Sequence, residues 1–188
     1  SIGAVNTLLW RHGELWGANT DCEGILRPLQ ERSIEPGSAL ILGAGGACLA
    51  AVAALRAMGC PNIFLAARDR TKAASVVHGS DIHYVPWEDR GACAVDVLIN
   101  STPLGMNGEL EQETPWPKGA SLRSVRWVFD LVYTPSRTLL IQQAESDGCG
   151  TINGLYMFVH QALGQWRAWT GQGFDPQAAV AYLQDRES

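Results

Sequence analysis

The sequence predicts an α/β fold of the Rossmann type, in which a doubly wound, mostly parallel sheet carries helices on both faces. The apolar run at residues 39–42 has the length of a buried strand and leads directly into the turn Gly43-Ala44-Gly45-Gly46. Residues 47–58 are rich in alanine and leucine, which favours a helix that Gly59 would end. Beyond that point, short apolar runs alternate with segments of helical length, and such alternation indicates βαβ units.

The later elements continue this pattern. Residues 63–66 are predicted as a strand, and Arg70–Val77 as the helix that follows. Strands are predicted over residues 95–99 and 127–129, and a helix over Leu139–Ser146 that closes near Gly148. Because these strands are mostly apolar, we expect a parallel sheet covered on both faces. Right-handed crossovers then fix most of its topology.

The two ends of the chain lie outside this alternation. Residues 2–18 are predicted to form a hairpin with Arg11-His12-Gly13 at its turn, and residues 21–32 a helix. Asn153 is the expected N-cap of a helix reaching about residue 170, and Asp175-Pro176 begins a last helix. We therefore divide the chain into residues 1–20, a Rossmann domain over residues 21–152, and C-terminal helices over residues 153–188.

Composition excludes several classes of protein. The formal net charge of −5, without any cluster of lysine and arginine, argues against a nucleic-acid surface. No apolar run approaches the roughly 20 residues that cross a bilayer. The five cysteines are dispersed and form no C-x-x-C pair, so neither a disulfide framework nor a metal site is predicted. We expect a reducing, cytoplasmic location.

The turn Gly43-Ala44-Gly45-Gly46-Ala47 is typical of a phosphate-binding loop between a strand and a helix. Its first glycine permits the tight turn, and its second lets a pyrophosphate approach the backbone. Free amides at the start of the helix then face the anion. Cys48 takes a place usually filled by Gly or Ala and is only slightly larger. A glycine turn required for packing alone is the alternative interpretation.

Two cations after the second strand of this unit indicate which dinucleotide is bound. An NAD enzyme usually places Asp or Glu there, to bind the ribose 2′-hydroxyl. Here Arg68 follows Ala67, and Lys72 lies one helical turn later; both charges suit a 2′-phosphate. We therefore predict NADP as the cofactor. Asp69 leaves NAD open, because its carboxylate could repel the phosphate or bind the ribose, and the cations could also be ordinary surface charges.

Further motifs narrow the family. They are Ile2-Gly3-Ala4-Val5-Asn6-Thr7, Gly17-Ala18-Asn19-Thr20-Asp21, Asn100-Ser101-Thr102-Pro103-Leu104-Gly105-Met106, Asp130-Leu131-Val132-Tyr133-Thr134-Pro135 and Gly154-Leu155-Tyr156-Met157-Phe158-Val159-His160-Gln161-Ala162. Together with the glycine turn they closely resemble shikimate dehydrogenase and its quinate/shikimate relatives, over residues 2 to about 171. Several motifs in order are far more specific than the turn alone.

The resemblance implies NADP-linked, reversible reduction of 3-dehydroshikimate to shikimate, a step of the chorismate pathway in aromatic amino acid biosynthesis. It implies that Asn6, Asp21 and Gln161 bind the substrate hydroxyls, with Asp21 also catalytic, and that Tyr133 lines the same pocket. The cofactor-binding residues it implies are Gly43, Ala44, Gly45, Gly46, Ala47, Arg68, Lys72, Thr102, Leu131, Gly154 and Met157. In such an enzyme residues 1–20 would be a remnant of a second, substrate-binding lobe, toward which residues 153–188 return.

The residues taken alone allow other interpretations. A polyol substrate requires several fixed polar partners, and Asn6, Asp21 and Gln161 lie among apolar neighbours, where unpaired polar groups are costly. Asp21 could equally be the N-cap of the helix that follows it, and Gln161 a buried structural amide. His160 has the chemistry of a general acid, but we interpret it as structural.

The family's proton donor has no counterpart in this sequence. Reduction of a ketone by hydride leaves an alkoxide that needs a donor, which in the family is a lysine paired with the aspartate matched by Asp21. That lysine, and paired serines that grip the substrate carboxylate, precede the Gly-Ala-Val-Asn segment; Lys72 and Lys118, the two lysines here, do not match it. We therefore expect a cofactor-binding fragment that is inactive alone. Apolar surface on residues 2–9 and 157–166 would favour its self-association.

Two alternatives remain open. A non-catalytic NADP(H)-binding module, regulatory or partner-binding, would explain the missing lysine equally well. Another NADP oxidoreductase with a similar cofactor lobe, such as glutamyl-tRNA reductase, fits less well, because the Asn-Thr-Asp and Val-His-Gln segments suit a small polyol acid. The choice between shikimate and quinate also stays open.

Overall fold

The computed structural model describes residues 4–186; Ile2 and Gly3 of the first motif, and the last two residues of the C-terminal region, lie outside the described residues. The strands are β1 (Thr7–Arg11), β2 (Glu14–Ala18), β3 (Ser38–Leu42), β4 (Asn62–Ala66), β5 (Ile82–Val85), β6 (Val95–Asn100), β7 (Val125–Asp130) and β8 (Gly150–Ile152). The helices are α1 (Asp21–Glu31), α2 (Gly46–Ala57), α3 (Arg70–Val77), α4 (Leu139–Ser146), α5 (Gly154–Thr170) and α6 (Pro176–Asp185), with a 3₁₀ helix over Trp87–Ala92.

Six strands form one sheet in the order β5-β4-β3-β6-β7-β8, and every neighbouring pair is parallel. The predicted fold is confirmed, and the sheet is wholly rather than mostly parallel. The strands β5 and β8, which the sequence did not predict, occupy its two edges.

The apolar side chains of the sheet divide between two hydrophobic clusters, one on each face. On β3, Ala39 and Ile41 belong to the cluster that includes residues of α1 and α2, whereas Leu40 and Leu42 belong to the cluster that includes Trp116. All four of these β3 side chains are fully buried. Burial on both faces explains why the strand is apolar throughout instead of alternating.

The site is positioned by the reversal of strand order beside β3. The chain proceeds outward from β3 to β4 and β5, and then returns to β6 on the other side of β3. Parallel sheets bind ligands in the crevice outside the carboxyl ends of the strands at such a switch point. The loops after β3 and β6 meet there, since the Ser101 amide donates to the Leu42 carbonyl at 2.9 Å.

The hairpin β1–β2 forms a separate two-stranded sheet, as predicted. Its turn residues His12 and Gly13 have φ values of 52° and 83°, as in a two-residue turn that matches the twist of a hairpin. Helix α5 contacts the hairpin, because the Trp169 indole donates to the Leu8 carbonyl at 3.1 Å. Within residues 4–186, no helix combines the length and the apolar character needed to cross a bilayer.

Candidate active site

The glycine turn leaves an open space at the carboxyl end of β3. Gly43 has φ +105°, and a Cβ there would lie 3.0 Å from the Ser101 hydroxyl, so the turn itself requires this glycine. At Gly45 and Gly46 a Cβ would meet no protein atom within 4 Å. Helix α2 begins at Gly46 without a side-chain cap. Packing therefore accounts for Gly43, whereas the openness of Gly45 and Gly46 suits a ligand that approaches the helix N-terminus.

A cavity of about 250 Å³ extends from this turn toward the start of α3. Its walls bring together several predicted cofactor residues, namely Gly43, Ala44, Gly45, Arg68, Lys72 and Thr102. Asp69 lines it as well, and its Oδ1 accepts from the amides of Thr71 and Lys72, both at 3.0 Å. The bond from the Lys72 amide is the main cause that lowers the pKa of Asp69. Asp69 is thus the N-cap of α3, and its Oδ2 lies 3.7 Å from Lys72 Nζ.

Trp87 also lines this cavity, although no sequence motif indicated it. It begins the 3₁₀ helix that follows the unpredicted strand β5. The guanidinium of Arg90 lies over its ring, 3.9 Å from the centroid. Recognising the short β-rich run at residues 82–85 as a parallel strand would have placed Trp87 at the same edge of the sheet.

A second cavity, of about 510 Å³, lies on the other side of Gly45. Of the predicted residues, its lining includes Gly45, Gly46, Ala47, Thr102, Leu131 and Tyr133. Gly154 lies behind this wall, since a Cβ there would be 2.4 Å from the Val132 carbonyl carbon. Met157 is not among the lining residues and lies against Gly24 of α1. The two cavities share Gly45 and Thr102, so a single extended ligand could occupy both.

A buried polar network holds the loops that line both cavities. Asn100 Nδ2 donates to Asp130 Oδ1 at 2.8 Å, and Asn100 Oδ1 accepts from the Thr102 amide at 2.9 Å. The Val132 amide and the Thr138 hydroxyl donate to the two oxygens of Asp130, at 3.1 and 2.6 Å. Burial raises the pKa of Asp130 to about 6. The carboxyl ends of β6 and β7 are therefore joined by side chains as well as by the sheet.

Three predicted substrate residues form one hydrogen-bonded cluster. Asn6 Nδ2 lies 2.8 Å from Asp21 Oδ1, 3.0 Å from Thr20 Oγ1 and 3.3 Å from Gln161 Oε1. Asn6 Oδ1 accepts from the Thr20 amide at 2.9 Å and from the Thr7 hydroxyl at 2.8 Å. Asn6 is therefore the centre of the cluster, and Thr20 is a member that sequence reasoning missed.

Close contact of α1 with α5 brings Gln161 to Asp21. A Cβ on Gly24 would lie 2.8 Å from the Met157 carbonyl oxygen and 3.1 Å from the Gln161 Cβ. A Cβ on Gly164 would lie 3.1 Å from the Thr20 side chain. Because both helices carry glycine at the contact, their backbones approach closely, and Gln161 reaches the cluster formed by Asn6 and Asp21.

Asp21 is not the N-cap of α1, so that alternative interpretation is wrong. Thr20 occupies the N-cap position, and the Asn19 side-chain oxygen accepts from the amides of Asp21 and Cys22, at 3.0 and 3.4 Å. The Asp21 carboxylate accepts from Asn6 instead.

Two further candidates lie apart from this cluster. Tyr133 stacks on Phe158, with ring centroids 5.0 Å apart, and among the described residues no hydrogen bond joins it to Asn6, Asp21 or Gln161. His160 is buried, and its Nε2 lies 3.4 Å from Glu31 Oε1 of α1. Burial is the main cause that lowers the pKa of His160. Its position between two helices agrees with a structural role.

The chain is similar to shikimate dehydrogenases over nearly its whole length. It is 40% identical over 186 residues to the shikimate dehydrogenase (NADP(+)) of Maridesulfovibrio salexigens, and covers 68% of that protein. The chain belongs to the shikimate dehydrogenase family. The shikimate dehydrogenase (NADP(+)) of Pelobacter propionicus is 40% identical over 181 residues, which are 95% of this chain and 65% of that protein. No family model matches the chain.

Solved shikimate dehydrogenase structures share this fold. The shikimate 5-dehydrogenase of Thermus thermophilus, solved in complex with NADP(H) and shikimate, superposes with a TM-score of 0.84 and 32% sequence identity. It covers all of this chain, and the chain covers 69% of it. The chain thus spans about two thirds of the length of the shikimate dehydrogenases it matches, which are NADP-dependent oxidoreductases.

Proposed function

We propose that the chain binds NADP(H) across the two cavities that meet at Gly45. The open space beside Gly45 and Gly46 carries this proposal, because a pyrophosphate there would face the amides at the N-terminus of α2. The first cavity, lined by Arg68 and Lys72, suits the 2′-phosphoadenosine half and is the phosphate cavity. The cavity lined by Leu131 and by the loop after β6 is left for the nicotinamide half.

Asp69 is compatible with NADP. Its carboxylate already caps α3 through the Thr71 and Lys72 amides, so its Oδ1 is engaged in the fold. The cations Arg68 and Lys72 flank it in the same cavity. A 2′-phosphate gains charge-assisted hydrogen bonds from these cations.

We propose that the Asn6 cluster binds hydroxyl groups of shikimate or 3-dehydroshikimate. Asn6 Nδ2 carries two hydrogens but lies within hydrogen-bonding distance of three acceptors, so one acceptor remains for a ligand. Within residues 4–186, no hydrogen bond engages Asp21 Oδ2 or Gln161 Nε2. These two groups can accept from and donate to neighbouring hydroxyls. Quinate presents similar hydroxyls, and nothing in this cluster separates the two acids.

The residues of this chain would hold the reactants but do not include the proton donor that the reduction requires. NADPH supplies the hydride when it is bound. Asp21 and Gln161 orient the substrate hydroxyls, while Leu131 and Val132 exclude water from one wall of the second cavity. The alkoxide that forms requires a proton donor, and in family members that donor is a lysine. Lys72 lines the phosphate cavity and Lys118 lies in the loop between β6 and β7, so neither matches that lysine.

We therefore propose that this polypeptide binds NADP(H) but does not turn over shikimate by itself. The division into a substrate-lobe remnant over residues 1–20, a cofactor domain over residues 21–152 and returning helices over residues 153–188 belongs to this proposal. A binding module without catalysis is the second candidate. Adding a polypeptide that carries the family's lysine motif distinguishes the two, since only the enzyme fragment would gain shikimate oxidation.

The decisive experiment is calorimetric titration of NADP⁺, NAD⁺ and shikimate into the wild type and into Arg68→Ala. The variant should bind NADP⁺ more weakly by about 1.5–3 kcal/mol, the range for hydrogen bonds to charged groups, and NAD⁺ almost unchanged. Arg70→Ala is the matched control, because Arg70 is exposed, pairs with Glu88 and does not line the phosphate cavity. Equal losses for both dinucleotides in Arg68→Ala would refute the assignment of the 2′-phosphate.

We also propose that the chain self-associates through the hairpin and the end of α5. Leu8, Trp10 and Trp16 are 60%, 72% and 51% exposed, and Trp169 is 57% exposed. An apolar surface of this kind favours association. Sedimentation velocity should show a concentration-dependent increase in mass, and a monomer at high concentration would contradict it. The free thiols of all five cysteines suit a reducing compartment, so we propose a cytoplasmic location.

A further inference from the structure

We propose that the indole of Trp87 forms the wall against which the adenine ring of the dinucleotide lies; this rests on the NADP site proposed above. Trp87 lines the same cavity as Gly43–Gly45, Arg68 and Lys72. It is half-buried and packs with part of its surface against a hydrophobic cluster of the sheet. Part of its side chain reaches the cavity, since Trp87 is one of the lining residues.

The indole is held in place by Arg90. The Arg90 guanidinium covers one face of the ring at 3.9 Å from its centroid. Its Nε donates to the Pro115 carbonyl at 2.6 Å, and its terminal nitrogen donates to the Trp87 carbonyl. The guanidinium therefore bridges the 3₁₀ helix and the loop before β7. A ring fixed in this way loses little entropy when a flat ligand packs against it.

The residues that line the cavity favour adenine as the group that would meet Trp87. The glycine turn is suited to the pyrophosphate, and Arg68 with Lys72 to the 2′-phosphate, so charged groups of the dinucleotide would take these walls. The adenine ring is the aromatic part of this half of the dinucleotide, and Trp87 is the aromatic side chain among the residues that line the cavity. Stacking between a base and an aromatic side chain contributes enough to change affinity about tenfold.

Trp87 and Arg68 should act on different parts of the same ligand. Adenine is common to NADP⁺, NAD⁺ and 2′,5′-ADP, so Trp87→Ala should weaken binding of all three by the same factor, about tenfold. Trp87→Phe should retain most of the affinity, because a phenyl ring also stacks. Arg68→Ala should discriminate between NADP⁺ and NAD⁺ in the same titrations.

The experiment combines calorimetry on these variants with NMR on the wild type. Trp166→Ala, which removes an exposed indole of α5, is the matched control and should bind all three ligands normally. In the wild type, the indole N–H resonance of Trp87, assigned by its absence in Trp87→Phe, should shift during titration with 2′,5′-ADP. This second measurement does not depend on whether Trp87→Ala folds.

Two results would overturn the inference. One is unchanged affinity of a folded Trp87→Ala for 2′,5′-ADP, and the other is an unmoved Trp87 indole resonance at saturation. If the wild type binds NADP⁺ and Arg68→Ala discriminates as expected, either result refutes the role of Trp87 alone. If the wild type binds no dinucleotide, the proposed function fails first, and the role of Trp87 falls with it.

Discussion

Replacing Gly45 by alanine should weaken dinucleotide binding roughly 10- to 100-fold without weakening the fold. Gly45 has φ −94° and ψ −168°, an extended conformation that alanine adopts freely, and its Cβ would meet no protein atom within 4 Å. The added methyl would project into the open space where the two cavities meet. The methyl group therefore fits the fold but would occupy the space that a bound pyrophosphate needs.

The expected magnitudes follow from opposing effects. Alanine restricts the unfolded chain and so stabilises the fold by about 0.4–1 kcal/mol. It is a poorer N-cap than glycine, which costs α2 roughly 0.5–1 kcal/mol. These contributions nearly cancel, so Tm should change by less than about 2 °C. Loss of one hydrogen bond between a backbone amide and a charged phosphate weakens NADP⁺ binding by about 1.5–3 kcal/mol, which is roughly 10- to 100-fold.

Gly59, which follows α2 at its other end, provides the matched control. It has φ +74° and an equally open Cβ position, so alanine there would contact no distant residue but would be strained against its own backbone. Gly59→Ala should lower the free energy of unfolding by about 1 kcal/mol and Tm by about 2–4 °C. It should leave NADP⁺ binding unchanged, because α2 is about 18 Å long. Differential scanning fluorimetry and calorimetric titration measure both quantities, and normal NADP⁺ affinity in Gly45→Ala would refute the reasoning.

Two further predictions concern carboxylates beside the site. Burial raises the pKa of Asp130 to about 6 from 3.8, so the native carboxyl retains its proton where the unfolded one has lost it. The proton on Asp130 therefore contributes stability that is complete below pH 3.8 and is lost as the pH rises through about 6. Urea unfolding at several pH values should show that Asp130→Asn lacks this pH dependence of the unfolding free energy, which amounts to about 3 kcal/mol. Identical pH profiles for the wild type and the variant would contradict the prediction. Asp69→Asn keeps the cap of α3 but removes a negative charge 3.7 Å from Lys72 Nζ, so calorimetry should show tighter NADP⁺ binding and unchanged NAD⁺ binding. Asp81→Asn, which removes an exposed carboxylate outside the phosphate cavity, is its control, and weaker NADP⁺ binding in Asp69→Asn would contradict the prediction.

The sequence predicted those parts of the fold whose cause is local. Strands β3, β4, β6 and β7 are recognisable because burial on both faces makes their central residues mostly apolar. Strand β5 was missed because it lies at an edge of the sheet, where exposed His83 interrupts the apolar run. Strand β8 has three residues and begins with glycine, which leaves too little pattern to detect.

The residues of the site also differ in whether neighbouring or distant parts of the chain place them. The glycine turn could be recognised from the sequence because a single segment of the chain forms it. The Asn6 cluster could be recognised only through the resemblance to a family. Trp87 and Arg68 are brought to one cavity by the pairing of β4 with β5, and their spacing along the chain says nothing about that contact. Thr20 was overlooked because its role depends on hydrogen bonds with Asn6, on the other side of the hairpin in sequence.

The pair formed by Asn100 and Asp130 couples the two halves of the crevice geometrically. Asn100 fixes Thr102, which faces both cavities, and Asp130 fixes Val132, which faces the larger one. A substitution at either position would remove the hydrogen bond that joins the two loops, so a change at this pair would affect both halves of the crevice. Residues that follow β4 and β5 line the smaller cavity alone, so substitutions there would alter one half of the crevice without altering the other.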